Sequence, residues 1–176
     1  DYKMRIFFCN VAWMKEYNGP EEDMSGGGSW VEANNSGNEQ YNFRDFNGQY
    51  LGYVSTKAGK INIDRIGVGV GEDYADNVLV VWVAKEPDEG GSKIIGWYKN
   101  ARVYRHYQYD DLGRGYNITA NVEDAVLLPI EKRTKDVPRA NEAGVGRGMG
   151  QSNYWFADDP RAQSYKEEVK EYINSY

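Results

Sequence analysis

Val78-Leu79-Val80-Val81-Trp82-Val83-Ala84 decides how this chain is read. Seven apolar residues in succession, four of them valine, read as a strand buried on both faces. Glu86-Pro87-Asp88-Glu89-Gly90-Gly91 follows with dense turn chemistry. Lys93-Ile94-Ile95-Gly96-Trp97-Tyr98 leaves that turn, and Ala101-Arg102-Val103-Tyr104 extends it, so the stretch predicts a hairpin. Alternation sets Leu79, Val81 and Val83 on one face and Trp82 on the other. If the valines face the core, Trp82 faces a groove.

Working outward, Arg5-Ile6-Phe7-Phe8-Cys9-Asn10-Val11 is a β-rich opening run. Tyr50-Leu51-Gly52-Tyr53-Val54, Ile61-Asn62-Ile63, Tyr116-Asn117-Ile118-Thr119 and Ala125-Val126-Leu127-Leu128 read as further short strands, the last stopped by Pro129. Only the end is helical in pattern. Asp158-Asp159-Pro160 is a cap followed by a first-turn proline, and Tyr165, Val169, Tyr172, Ile173 and Tyr176 then form one apolar stripe. The expected fold is mainly β (α+β), a small closed or nearly closed barrel with a C-terminal helix and few short helices. Residues 1–3 resemble the end of an epitope tag, residues 4–157 form the barrel, and residues 158–176 pack on it or lead to a further domain.

The chain has 176 residues, 40% hydrophobic and 14% aromatic, and a net charge of -6, which suits one domain whose core leans on Tyr and Trp. No run has the length of a membrane-spanning helix or the form of a signal peptide, and the single cysteine fits a reducing cytoplasm. One cysteine and one histidine leave little from which to assemble a zinc site, a triad or a His-rich metal centre. Neither an enzyme, a metal nor a cofactor is expected. Charge is unevenly divided: residues 93–147 hold 10 Lys+Arg against 7 Asp+Glu, and the rest 11 against 20. One mildly basic face is the reading of that split.

Three local patterns are set aside. Gly67-Val68-Gly69-Val70-Gly71 lacks phosphate-loop spacing and runs into Glu72-Asp73, so it reads as a surface loop. Cys9 lies within an apolar run, where a buried inert thiol is the ordinary state. Asp110-Asp111 reads as a solvated turn. The aromatic inventory is more informative. Five Trp and fifteen Tyr exceed what a short β domain needs for its core. Several lie beside Gly, Asn or Ser, namely Trp30, Tyr41-Asn42-Phe43, and Tyr154-Trp155 after Gln151-Ser152-Asn153. Flat rings with amides nearby suit a planar heterocycle, sandwiched by the rings and read at its edge.

Ile6-Phe7-Phe8-Cys9-Asn10-Val11-Ala12-Trp13, Gly28-Ser29-Trp30-Val31-Glu32, the run at 78–84 and Ile94-Ile95-Gly96-Trp97 together resemble the PUA-like superfamily, in its EVE and YTH branches. Residues 96–105 and 148–155 resemble segments of bacterial modification-dependent restriction proteins that couple such a module to an HNH-type nuclease. The resemblance covers most of residues 4–157 and implies a module that holds a flipped modified base in an aromatic cage. Trp30 matches the cage tryptophan, Trp82 and Trp97 are the next candidates, and Asn34 or Asn42 would read a base edge. After Tyr104 the sequence departs from the YTH pattern: Tyr107, Tyr109 and Tyr116 stand where a second cage tryptophan often occurs, so the identity of the base stays open.

Phosphate contacts are expected from the basic part, with Lys132, Arg133, Lys135, Arg139 and Arg147 around a glycine-rich segment and Gln151, Ser152 and Asn153 beside it. The expectation is a DNA-binding specificity module of a restriction system. It would recognise methylated or hydroxymethylated cytosine, or N6-methyladenine, in double-stranded DNA, with any nuclease outside this chain. An RNA reader of the same fold remains open, as does a protein- or carbohydrate-binding β domain. No membrane partner is expected.

Overall fold

The computed structural model describes residues 5–20, 22 and 38–176. The chain is mainly β. Its strands are β1 (Arg5–Val11), β2 (Gln49–Gly52), β3 (Tyr74–Lys85), β4 (Ser92–Tyr109), β5 (Gly115–Asn121), β6 (Ala125–Leu127), β7 (Asp136–Val137) and β8 (Tyr154–Trp155). Among the described residues a one-turn helix α1 (Ala140–Ala143) and a later helix α2 (Gln163–Asn174) complete the regular elements, apart from short 3-10 turns. The strands join in one sheet of order β2-β5-β4-β3-β1-β8, with β6 and β7 also paired to β4.

β3 and β4 form the hairpin expected from the run at 78–84, paired from Lys85↔Ser92 back to Tyr74↔Tyr104. Its register shifts near Asn77 and Asn100, both at positive φ, a conformation asparagine tolerates better than most residues. The other edge of β4 is shared by β7, β6 and β5 in turn. On the far side of β3, β1 runs parallel to it and β8 returns antiparallel to β1. The hydrogen-bonded path ends at β2 and β8, so the described strands form an open sheet where sequence suggested a closed or nearly closed barrel. The Ile61-Asn62-Ile63 alternation does not become a strand. Ile61 and Ile63 are both buried, and a 3-10 turn over Ile63–Ile66 takes up the chain there.

Both faces of the central strands are covered, which is why the run at 78–84 needs no polar side. Phe7, Cys9, Val80, Trp82, Tyr98 and Val103 join one core with Trp13, Tyr17, Phe43, Ile61 and Phe156. Ile6, Phe8, Leu79, Val81, Val83 and Trp97 join a second, closed by Leu128, Val137, Met149, Trp155 and α2. The stripe read from sequence is the face that α2 presents: Val169 and Ile173 are buried, with Tyr165 and Tyr172 packed beside them. Asp159 caps the turn leading into α2, its carboxylate accepting from the Arg161 N–H at 2.9 Å.

Gly96 shows how tightly β6 lies on β4. A Cβ there would collide with the Val126 carbonyl oxygen and stand 3.1 Å from Cζ of Phe43. Gly96→Ala is therefore expected to destabilise the fold by roughly 1–3 kcal/mol, the usual range for overpacking. Ile173→Ala, which removes a buried side chain of α2, is expected to cost about 2–5 kcal/mol. Urea denaturation followed by circular dichroism measures both. A wild-type midpoint for Gly96→Ala contradicts the first, and one for Ile173→Ala would mean that α2 does not close the second core.

Candidate nucleic-acid interface

The two asparagines nearest the end of β2 are buried, and each is spent on one backbone unit. Asn42 Oδ1 accepts from the Tyr53 N–H at 2.8 Å while Asn42 Nδ2 donates to the Tyr53 carbonyl at 3.3 Å. Asn117 does the same for Val54, at 3.0 and 2.9 Å. Successive residues of an extended chain direct their polar groups to opposite sides, so the two amides grip the segment from its two edges. Buried backbone groups need such partners, and a carboxamide offers donor and acceptor side by side on one flat group. This corrects the reading of Asn42 as a base-edge reader: its amide already serves Tyr53.

The clamp sets the chain that follows. Tyr53 stacks on Tyr107, ring centres 5.3 Å apart and planes 12° from parallel. The Thr56 N–H donates to Tyr107 Oη at 2.9 Å, and Asn153 Nδ2 donates to the Ser55 carbonyl at 3.4 Å. Tyr107 and Tyr154 are half-buried, leaving part of each ring open to solvent.

Asn153 also borders an open cleft of about 690 Å³ at the end of β1. Asn10, Arg139, Asn141, Gln151, Ser152 and Asn153 give it a polar lining, while Val145 and Met149 supply apolar surface. The Asn10 N–H donates to the Asn153 carbonyl at 2.7 Å, fixing one wall to β1. Arg139 Nη1 donates to Ser92 Oγ at 3.2 Å, and the Ala140 N–H to the Met149 carbonyl at 2.8 Å, fixing the other. Gly148 is buried where a Cβ would stand 2.5 Å from the Pro138 carbonyl oxygen, so glycine is what lets these chains meet. A cleft of this size, with a cation and several amides, accommodates a small planar polar ligand.

Four of the residues expected at phosphate therefore line one cleft: Arg139, Gln151, Ser152 and Asn153. The other cations sit elsewhere. Lys135 pairs with Glu168 of α2, Lys132 lies 5.5 Å from the ring centre of Tyr176, and Arg147 is exposed outside this lining. Arg133 is buried, donating to the carbonyls of Leu128 (2.9 Å), Met14 (2.6 Å) and Lys15 (3.0 Å). It is a strut, not a phosphate contact.

The tryptophans also differ from expectation. Trp30 and Asn34 lie outside the described residues. Trp82 is 0% exposed in the first core and Trp97 is 1% exposed in the second, edge-on to Tyr172 and Tyr176. The alternation was right, but a second core covers the face on which a groove was expected, so neither indole is open to a base. Trp82 Nε1 is buried without a partner. Trp13 and Trp155 are buried too, so the described tryptophans are core residues, while Tyr107 and Tyr154 keep part of their rings open. No family model, curated protein or solved structure matches this chain.

Sequence reasoning passed over Asn10 and Asn141 in the cleft lining, and the stack of Tyr53 on Tyr107. It also missed Glu39, a buried carboxylate whose Oε2 accepts from the Ala12 N–H at 2.5 Å. Desolvation pushes its pKa up to about 7, against the opposing pull of that N–H. The folded chain thus holds this proton more tightly than the unfolded one, whose carboxyl titrates near 4.5. The stability this gives is complete below that value and is lost as pH rises through about 7. Glu39→Gln keeps an acceptor for Ala12 and removes the buried charge. Its melting temperature is expected to exceed that of the parent at pH 8 but not at pH 5; equal shifts at both pH values would contradict the assignment.

Proposed function

We propose that this chain is a PUA-like module that binds nucleic acid and recognises a modified base, serving as the DNA-binding specificity element of a restriction system. The observation that supports it most is the open cleft beside Arg139, lined by the amides of Asn10, Asn141, Gln151 and Asn153. Carboxamides offer donors and acceptors to a base edge, and a guanidinium favours a phosphate on the strand that carries the base. Tyr154, which follows Asn153 of the cleft in sequence, and Tyr107 have half-buried rings that offer surfaces on which a flipped base can stack. Such stacking contributes about 1–3 kcal/mol per base, enough to offset extrusion from a duplex.

The modified base and the duplex come from the resemblance to EVE and YTH modules, as does Trp30 as cage residue. Cutting would belong to a nuclease outside this module, and a cytoplasmic setting goes with the single cysteine. Among the described residues, no helix is long and apolar enough to cross a membrane.

The test is fluorescence polarisation with duplexes carrying 5-methylcytosine, 5-hydroxymethylcytosine, N6-methyladenine or no modification, with RNA of the same sequence alongside. Tighter binding of one modified DNA is the expected outcome. Arg139→Gln should weaken all of the oligonucleotides alike and lower the salt slope by about 1. Trp30→Ala should remove the preference and leave the melting temperature nearly unchanged. Equal affinity for every duplex rules out base reading, and tighter binding of modified RNA moves the ligand to RNA.

A further inference from the structure

At the opposite end of β1 from the amide-lined cleft lies a second concavity, of about 440 Å³. β1 supplies Arg5 and Ile6, the turn after Ile63 supplies Arg65 and Ile66, and α2 supplies Lys166 and Lys170. Phe156 lines it as well, and among the described lining residues the one carboxylate is Asp158. Four cations to one acid among those residues, in a chain of net charge -6, is a local reversal of sign. Lys166 and Lys170 stand one helical turn apart, a spacing at which like charges repel.

The cations differ in what they already hold. Arg65 Nε and Nη2 donate to the Asp158 carboxylate at 2.8 and 2.7 Å, and the guanidinium lies 4.4 Å from the ring centre of Phe156. That pairing and stacking fix Arg65 in place. Arg5 Nη1 donates to the Asp76 carbonyl at 3.1 Å, a neutral partner, and no ion pair to Arg5 forms among the described residues. Lys170, its side chain only 17% exposed, pairs with Glu167, Nζ to Oε1 3.5 Å. Asp158 and Glu167 set against Arg5, Arg65, Lys166 and Lys170 still leave the concavity with net positive charge, and Ile6, Ile66 and Phe156 line it beside them.

We propose that this cleft is a binding site for a ligand carrying two or more phosphate groups, separate from the amide-lined cleft. Asn10 and Arg5 are five residues apart on β1, which at about 3.3 Å per residue puts the two clefts roughly 16 Å apart. One mononucleotide cannot bridge that distance. The inference does not rest on base reading, because it depends on charge and shape at this end of β1 alone.

The experiment is calorimetric titration of the full chain at low ionic strength, with sodium pyrophosphate in one arm and a twelve-nucleotide single strand in the other. The parent, the Lys166→Gln/Lys170→Gln double variant, Arg5→Gln and, as a control at an exposed lysine outside both clefts, Lys85→Gln are compared, and thermal melting confirms that each is folded. At least tenfold weaker binding in the double variant and in Arg5→Gln is expected, with pyrophosphate affinity unchanged in Lys85→Gln. Weakening in the pyrophosphate arm marks a free phosphate ligand, whereas weakening confined to the oligonucleotide arm marks the backbone of a strand. Weakening in neither arm overturns the proposal. A panel of duplexes showing no preference for modified bases would defeat the base-reading proposal and leave the pyrophosphate arm as it stands.

Discussion

The central strands β1, β3 and β4 have no solvent side, and that constraint shapes the rest of the molecule. A sheet with two apolar faces needs two coverings, and the chain makes them from different regions. The aromatic loop residues Trp13, Tyr17 and Phe43 close one face with Ile61 and Ile63. The segment from Leu128 to the end of α2 closes the other. Burial of each large aliphatic side chain contributes about 1.5–3 kcal/mol, so both coverings are needed to offset the entropy of ordering the long strands. Among the described residues, the two clefts lie at the ends of β1, away from the covered faces.

Side-chain polar groups take over where the sheet stops. Asn42 and Asn117 act as substitute strands for Tyr53 and Val54, and Arg133 serves three carbonyls in one loop layer. These bonds are buried, so a partner lost from any of them leaves a desolvated group behind. The stack of Tyr53 on Tyr107, and through Asn153 one border of the amide-lined cleft, therefore depend on residues that no ligand touches. Positioning of the candidate site is a property of the interior.

Much of the fold was legible because its signals are local. The hairpin of β3 and β4, the turn at 86–91 and the stripe of α2 follow from periodicity and turn chemistry over a few residues. β7 and β8 were not legible, being two residues long and existing only through pairing with distant partners. Trp82 shows the limit most clearly. Its face was inferred correctly from alternation, but whether that face meets solvent depends on residues far away in sequence. Asn42 was misread for a similar reason: an amide beside aromatic residues looks the same in sequence whether it meets a ligand or a neighbouring backbone. Arg139 and the run 151–153 drew notice through composition, whereas nothing local marks Asn10 as their neighbour.

The placement of β1 carries a consequence for how the chain reaches its native state. β1 pairs in parallel with β3, and its other edge is completed by β8, which follows all the other described strands. During synthesis β1 emerges before both of these partners, with an apolar sequence and neither edge paired. Such non-local closure makes for slow folding, and an unpaired edge invites association with other nascent chains. Yield in a cell should therefore depend on chaperone capacity more than the final stability would suggest, and truncation before Tyr154 would leave that edge permanently open.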